Sequence, residues 1–250
     1  MIAAEMYTLR ESLREPSAIA DGLRRVREMG YDGVELAGLG PIEPARLRAL
    51  LDETSLVACS AHVRWERLRD ETDAAIEDCR TWGCSHVAVP ILPAEYRAAD
   101  GYARFATEAS AVGERLRTAG VALSYHNHAF ELERFGDASG LEILYRSGDP
   151  DLLGAQLDTY WVQYGGGSPG GWIRRLRGRM PTIHIKDMDV HDGDPVMAEI
   201  GEGNLDWPDV LGACREAGVE WLIVEQDYCR RDPFESLAIS RRNLTALGAG

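Results

Sequence analysis

The 250-residue sequence contains no stretch near the roughly 18 consecutive apolar residues that a membrane-spanning helix needs. It has no CxxC pair, and its five cysteines (Cys59, Cys79, Cys84, Cys214 and Cys229) are odd in number, which excludes a disulfide scaffold and a zinc finger. It also lacks basic charge. Against 41 Asp and Glu stand 27 Lys and Arg, a net charge of −14, so neither nucleic acid nor an anionic membrane surface is an expected partner. The first residues, Met1–Met6, carry neither a basic nor an extended apolar segment, so a secretory leader is not expected and the thiols read as reduced and cytoplasmic. No low-complexity stretch or linker divides the chain, and one domain over residues 1–250 is expected.

What is present is alternation. Short apolar runs at Ala3–Tyr7, Gly33–Leu36, Leu56–Ala61, His86–Val89, Ala122–His126, Gly154–Asp158, Thr182–Lys186 and Trp221–Glu225 read as strands. Their nearly continuous apolar character is that of parallel strands covered on both faces. Between them lie helical stripes, such as Ile19, Leu23, Val26 and Met29, or Tyr102–Ala119. Helix, glycine, strand recurs at Gly30, Gly83, Gly120 and Gly218. Eight such units in this length predict an α/β fold of the (β/α)8 TIM-barrel type. An open doubly wound sheet is disfavoured, because no dinucleotide-binding glycine loop directly follows a strand; the Gly165–Gly167 run lies well past Asp158.

In such a barrel all strand C-termini meet at one mouth. Those ends carry Glu35, His62, His126 with His128, Asp158, His184 with Lys186, and Glu225 with Asp227. Polar residues closing apolar strands cost free energy unless they are paired or bind an ion. Four of them, His126, Asp158, His184 and Glu225, have the types for one divalent cation: two carboxylates match its charge and two imidazoles add nitrogen donors. Manganese is the first expectation, with zinc, cobalt, iron or magnesium as the others. The competing reading is that each group is merely hydrogen-bonded to its neighbours.

The segments Tyr125-His126-Asn127-His128-Ala129-Phe130-Glu131, Leu157-Asp158-Thr159-Tyr160-Trp161, Ile183-His184-Ile185-Lys186-Asp187, Gly201-Glu202-Gly203 and Val224-Glu225-Gln226-Asp227, together with Gly30–Leu36, make the chain resemble the xylose isomerase-like sugar phosphate isomerase/epimerase family. The resemblance runs in order along nearly the whole chain. It implies a TIM barrel with a divalent metal at its mouth and a sugar or keto-sugar substrate, across a family that includes isomerases, epimerases and inosose dehydratases. In its epimerases Glu, Asp, His and Glu hold the metal. Asp158, His184 and Glu225 match the last three, and His126 stands at the first position, which is a departure.

That departure leaves Glu225 as the one matching acid/base glutamate, with His128, Lys186 or Glu131 as candidates for a second group. His128 either faces substrate or orients His126. Lys186 either stabilises a forming oxyanion or pairs with Glu225 or Asp227. Glu35 and His62 either line the sugar pocket or are buried, satisfied polar groups. Glu202, in its glycine-flanked turn, either reaches over the mouth or sits in a surface loop. Trp161, Trp65 and Tyr7 are candidates to stack on a sugar face, although packing is the commoner fate of tryptophan. Trp207 and Trp221 read as structural. The Arg-rich segment Trp172–Arg179 reads as a solvated helix face. No glycine-rich loop after the last two strands offers a phosphate cradle, so an unphosphorylated substrate is expected. The expected function is a metal-dependent isomerase or epimerase acting by proton transfer next to a carbonyl. The alternatives are a dehydratase or lyase on a keto-sugar or keto-inositol, or a non-catalytic sugar-binding subunit. A homo-oligomer is compatible with such a barrel, but no stripe in the sequence marks an interface.

Overall fold

A computed structural model describes residues 1–249. Eight strands form one parallel sheet: β1 (Ile2–Glu5), β2 (Gly33–Leu36), β3 (Val57–His62), β4 (His86–Val89), β5 (Ala122–His126), β6 (Gly154–Gln156), β7 (Thr182–Ile185) and β8 (Trp221–Val224). Their order is β6-β5-β4-β3-β2-β1-β8-β7, every pairing is parallel, and a parallel bridge between Asp158 and His184 joins the two ends. This is the (β/α)8 TIM barrel that the alternation predicts. The bridge also brings two of the candidate ligands side by side.

The helices are α1 (Pro16–Glu28), α2 (Pro44–Thr54), α3 (Trp65–Asp70), α4 (Thr72–Trp82), α5 (Ala99–Thr118), α6 (Gly140–Ser147), α7 (Thr159–Tyr164), α8 (Pro169–Arg175), α9 (Trp207–Ala217) and α10 (Pro233–Ala246). The four expected helix stops, Gly30, Gly83, Gly120 and Gly218, all have positive φ, the conformation that glycine adopts without a Cβ penalty. Helix α2 instead ends at Ser55 with φ 55°. Helix α6 starts in a reciprocal capping box, where Ser139 Oγ accepts from Glu142 N–H and the Glu142 carboxylate accepts from Ser139 N–H. Helix faces and outward strand residues bury one large apolar cluster containing Leu23, Leu50, Phe105, Leu116, Ile173 and Leu237.

Some expectations need correction. Tyr7 lies in a 3-10 turn (Met6–Ser12), so β1 ends at Glu5. Strand β6 ends at Gln156, and Asp158 is instead the N-cap of α7. Two short antiparallel hairpins, Arg134–Phe135 with Ala138–Ser139 and Asp187–His191 with Asp194–Ala198, extend loops at the mouth end. Trp207 and Trp221 are buried as expected, and Trp207 Nε1–H donates to Asp187 Oδ2 (2.7 Å).

Candidate active site

The inner ends of the strands carry two polar layers that share His184. The deeper layer holds Glu5, Glu35, Gln156, Thr182 and His184, all buried, with His62 half-buried beside them. Gln156 Nε2 donates to Glu35 Oε1 (2.6 Å) and to Thr182 Oγ1 (3.0 Å), while its carbonyl oxygen accepts from His62 Nε2 (2.8 Å). His184 bridges the layers: Nε2 faces Glu35 Oε2 (2.5 Å) and Nδ1 faces Glu225 Oε2 (2.7 Å). Burial opposes a charge on His184, but these two carboxylates outweigh it and hold the imidazolium to about 10. Burial likewise works against an ionised Glu35, yet His62 and His184 keep its carboxyl well below the usual range. Glu5 stands farther from that imidazolium, its Oε2 3.9 Å from His184 Nε2, and desolvation and the Glu35 charge push its carboxyl well above the usual range.

The upper layer is built on Lys186. Its ammonium is 1% exposed and donates to Asp227 Oδ2 (2.7 Å), with Glu225 Oε2 at 2.7 Å and Asp158 Oδ2 at 2.9 Å. Burial alone would discharge it, and the three carboxylates reverse that. Glu225 is in turn held well below the normal carboxylate range, because Lys186 and His184 outweigh its desolvation. Asp158 is raised by burial to about 6 despite Lys186. Across from these, burial keeps His126 neutral and lowers His128 to about 4.

The arrangement fits a divalent ion. Ligand atoms of His126, Asp158, His184 and Glu225 all lie within 4.8 Å of one another. Asp158 Oδ1 is committed to Trp161 N–H (3.0 Å), whereas Oδ2 makes no hydrogen bond among the described residues and faces the Lys186 ammonium at 2.9 Å, a cation with which a bound ion would share it. His126 Nε2 faces that oxygen at 3.9 Å. For His184 to join them, its Nδ1 would have to give up the proton it shares with Glu225. A second set within the same spacing, Glu5, Glu35, His62 and His184, overlaps the first.

Above the two layers lies a cavity of about 530 Å3, lined by Tyr7, His62, Trp65, His126, His128 and Glu225, with Asp227, Arg64 and Arg97 at its sides. Seven residues expected at the mouth or as stacking partners, Tyr7, His62, Trp65, His126, His128, Glu225 and Asp227, therefore reach it directly. Lys186, Asp158 and His184 lie beneath it. Glu35 sits in the deeper layer, not in the pocket wall. Trp161 is half-buried behind the site, 5.4 Å from the His128 ring and 5.8 Å from Lys186 Nζ between centroid and atom. Glu202 is not brought to the cavity: its carboxylate pairs with Arg231 (2.7 Å), because Asp187 pins the surrounding turn by accepting from the N–H groups of Gly201, Gly203 and Leu205. A Cβ at Gly203 would fall 2.4 Å from Met188 O, so that turn needs glycine. Glu131 is buried too. It accepts from Tyr125 OH (2.5 Å) and from His128 N–H (2.9 Å), fixing the loop that presents His128.

Sequence reasoning overlooks Glu5 and Gln156. Glu5 ends β1, and the strand-end rule would have found it with the boundary set two residues earlier. Gln156 sits within an otherwise apolar run, and only the barrel interior explains it.

Comparison with known proteins follows the same outline. The family described as xylose isomerase-like TIM barrel matches residues 23–246. An inosose dehydratase of Lacticaseibacillus casei is 26% identical over 261 residues, covering 87% of this chain and 85% of that protein. The rhizopine catabolism protein MocC of Rhizobium meliloti is 24% identical over 272 residues, covering 91% and 81%. A crystal structure of a sugar phosphate isomerase/epimerase from Parabacteroides distasonis ATCC 8503 superposes with a TM-score of 0.82 at 22% identity, covering 98% of this chain and 93% of the other, a likeness of fold.

Proposed function

The chain belongs to the xylose isomerase-like TIM barrel family, and from that premise we propose that it is an enzyme that removes a proton next to the carbonyl of a keto-polyol and completes the reaction by losing a β-hydroxyl as water. The observation that carries this reading is Glu225 on the cavity lining with the Lys186 ammonium 2.7 Å from it and buried just beneath, a carboxylate and an ammonium in contact below the space a substrate would occupy.

Glu225 takes the proton from the carbon beside the carbonyl, and Lys186 stabilises the negative charge that develops on the carbonyl oxygen. Charge moving onto the substrate weakens the hold of Lys186 on Glu225, which raises the basicity of that carboxylate as the proton transfers. Loss of the β-hydroxyl then breaks a C–O bond, forms a C=C bond, and needs a proton for the departing oxygen. The same Glu225 can return it on the same face, so one carboxylate suffices. Epimerisation needs acid/base groups on opposite faces, and the cavity's carboxylates at the strand ends, Glu225 and Asp227, both follow β8. The inosose dehydratase relatives agree with this outcome.

His126, Asp158, His184 and Glu225 would hold a divalent ion, with manganese the first candidate. When bound, such an ion would supply Lewis-acid chemistry, polarising a substrate carbonyl and making the neighbouring C–H more acidic. A second reading, isomerisation or epimerisation, is favoured by His128, which lines the cavity as a neutral imidazole. The five thiols, free of disulfides, agree with a cytoplasmic enzyme.

Incubation with scyllo-inosose and D-fructose in deuterated water, followed by NMR and ultraviolet absorbance, tests the proposal. Solvent deuterium entering next to the carbonyl with growth of an enone band, both lost in Glu225→Gln, is the expected result. Exchange giving an epimer without an enone would establish the second reading instead. Exchange that persists undiminished in Glu225→Gln would refute the role of that residue.

A further inference from the structure

The floor of the cavity is acidic, but two residues along its lining are not. Arg64, at the end of β3 and the start of α3, and Arg97, after β4, are both exposed and both line the 530 Å3 cavity. In a chain with 14 more acids than bases, half of the arginines pair with a carboxylate, as Arg48 does with Asp52 and Arg174 with Asp209 and Glu216. Neither Arg64 nor Arg97 forms an ion pair with a described residue. Glu66, the one exposed acid of the lining among the described residues, pairs with neither.

Arg97 is held in place without using its terminal amino groups. Its Nε–H donates to Leu92 O (2.9 Å), and its guanidinium lies 4.0 Å over the Phe130 ring. Phe130 is stacked on His128, with centroids 5.9 Å apart and planes at 13°. The guanidinium is thus fixed against the same ring that stacks on the cavity-lining His128 imidazole, and its two terminal nitrogens make no hydrogen bond to a described residue. A planar fork with free N–H groups beside a cavity matches the two oxygens of a carboxylate or phosphate.

We propose that Arg97, assisted by Arg64, binds an anionic group on the substrate, so that the site takes a keto-polyol carrying a carboxylate or phosphate. This rests on the keto-polyol reading above and sharpens its substrate class. Two guanidiniums on the lining also offset the repulsion that an anionic substrate would meet from the acids around the cavity.

Calorimetric binding to the intact protein tests this without turnover. The probes are scyllo-inosose and D-fructose (neutral), 5-keto-D-gluconate (carboxylate) and D-fructose 6-phosphate (phosphate). At least one anionic probe should bind about tenfold or more tighter than the neutral probes, and added salt should shrink the preference. Whether the carboxylate or the phosphate leads identifies the group. In Arg64→Ala/Arg97→Gln the preference should fall to about twofold or less, with neutral probes unchanged, and Arg97→Lys should restore part of it. Anionic probes binding no tighter than neutral ones, absence of binding included, would overturn the proposal, as would a variant that loses neutral and anionic probes alike. The deuterium exchange lost in Glu225→Gln reports separately on the reaction, so either idea can fail alone.

Discussion

Replacing Lys186 by methionine keeps the length of the side chain and removes the charge. Asp158, Glu225 and Asp227 lie 2.9, 2.7 and 2.7 Å from the ammonium, and the first two are buried. Removing one partner from a buried ion pair costs about 3–5 kcal/mol. The carboxylates have an escape, which is to take up a proton. Each pH unit above the intrinsic pKa makes that uptake harder by about 1.4 kcal/mol, so a carboxylate of intrinsic pKa near 4 can cost at most about 4 kcal/mol at pH 7 and about 1.4 kcal/mol at pH 5. Asp158, already raised to about 6, protonates more readily still. Metal-free Lys186→Met should therefore lose about 3–5 kcal/mol at pH 7, or roughly 6–20 °C in Tm for a chain of this size. Most of that loss should disappear by pH 5. Urea titration of wild type and variant at several pH values reads both numbers. A loss below about 1 kcal/mol at pH 7, or one of equal size at both pH values, would refute the argument that the ammonium neutralises these buried acids.

Burial raises Glu131 to about 7, above its unfolded value near 4.3, so the folded state holds a proton that the unfolded state releases. Stability from this group is full below about pH 4 and declines as pH rises towards 7, by a few kcal/mol in total; Glu131→Gln should flatten that decline in thermal melts. His126→Ala and Asp158→Asn should each lower bound manganese by about tenfold or more, measured by metal analysis after dialysis, and retention of full metal by either would contradict the four-ligand set. Ser55, held at φ 55° where a side chain is strained, should become more stable by about 0.5–1 kcal/mol as Ser55→Gly, with no change in activity.

Much of the fold can be read from local pattern. The helix–glycine–strand alternation is local, because a left-handed residue after an amphipathic helix is a property of a few neighbouring positions, and Gly30, Gly83, Gly120 and Gly218 all behave so. Helices α3 and α7 escape such reading because six residues make less than two turns, too few for a periodic stripe. The Asp187–Ala198 hairpin does carry a signal, the Asp192-Gly193 turn with φ of 52° and 90°. Apolar periodicity passes over it, since much of the hairpin faces solvent.

At the site, the sequence by itself determined which residue types close the strands, and the barrel rule brought His126, Asp158, His184, Glu225 and Lys186 to one end. Only the tertiary structure decided their depth and partners. It placed Lys186 under the cavity floor among three acids, split His184 between Glu35 and Glu225, drew Glu202 away to Arg231, and left Arg64 and Arg97 on the cavity lining without an ion pair among the described residues. The reason is physical. Strand ends follow from the chain's local pattern, whereas desolvation and charge pairing depend on which groups from distant strands arrive within a few ångströms of one another.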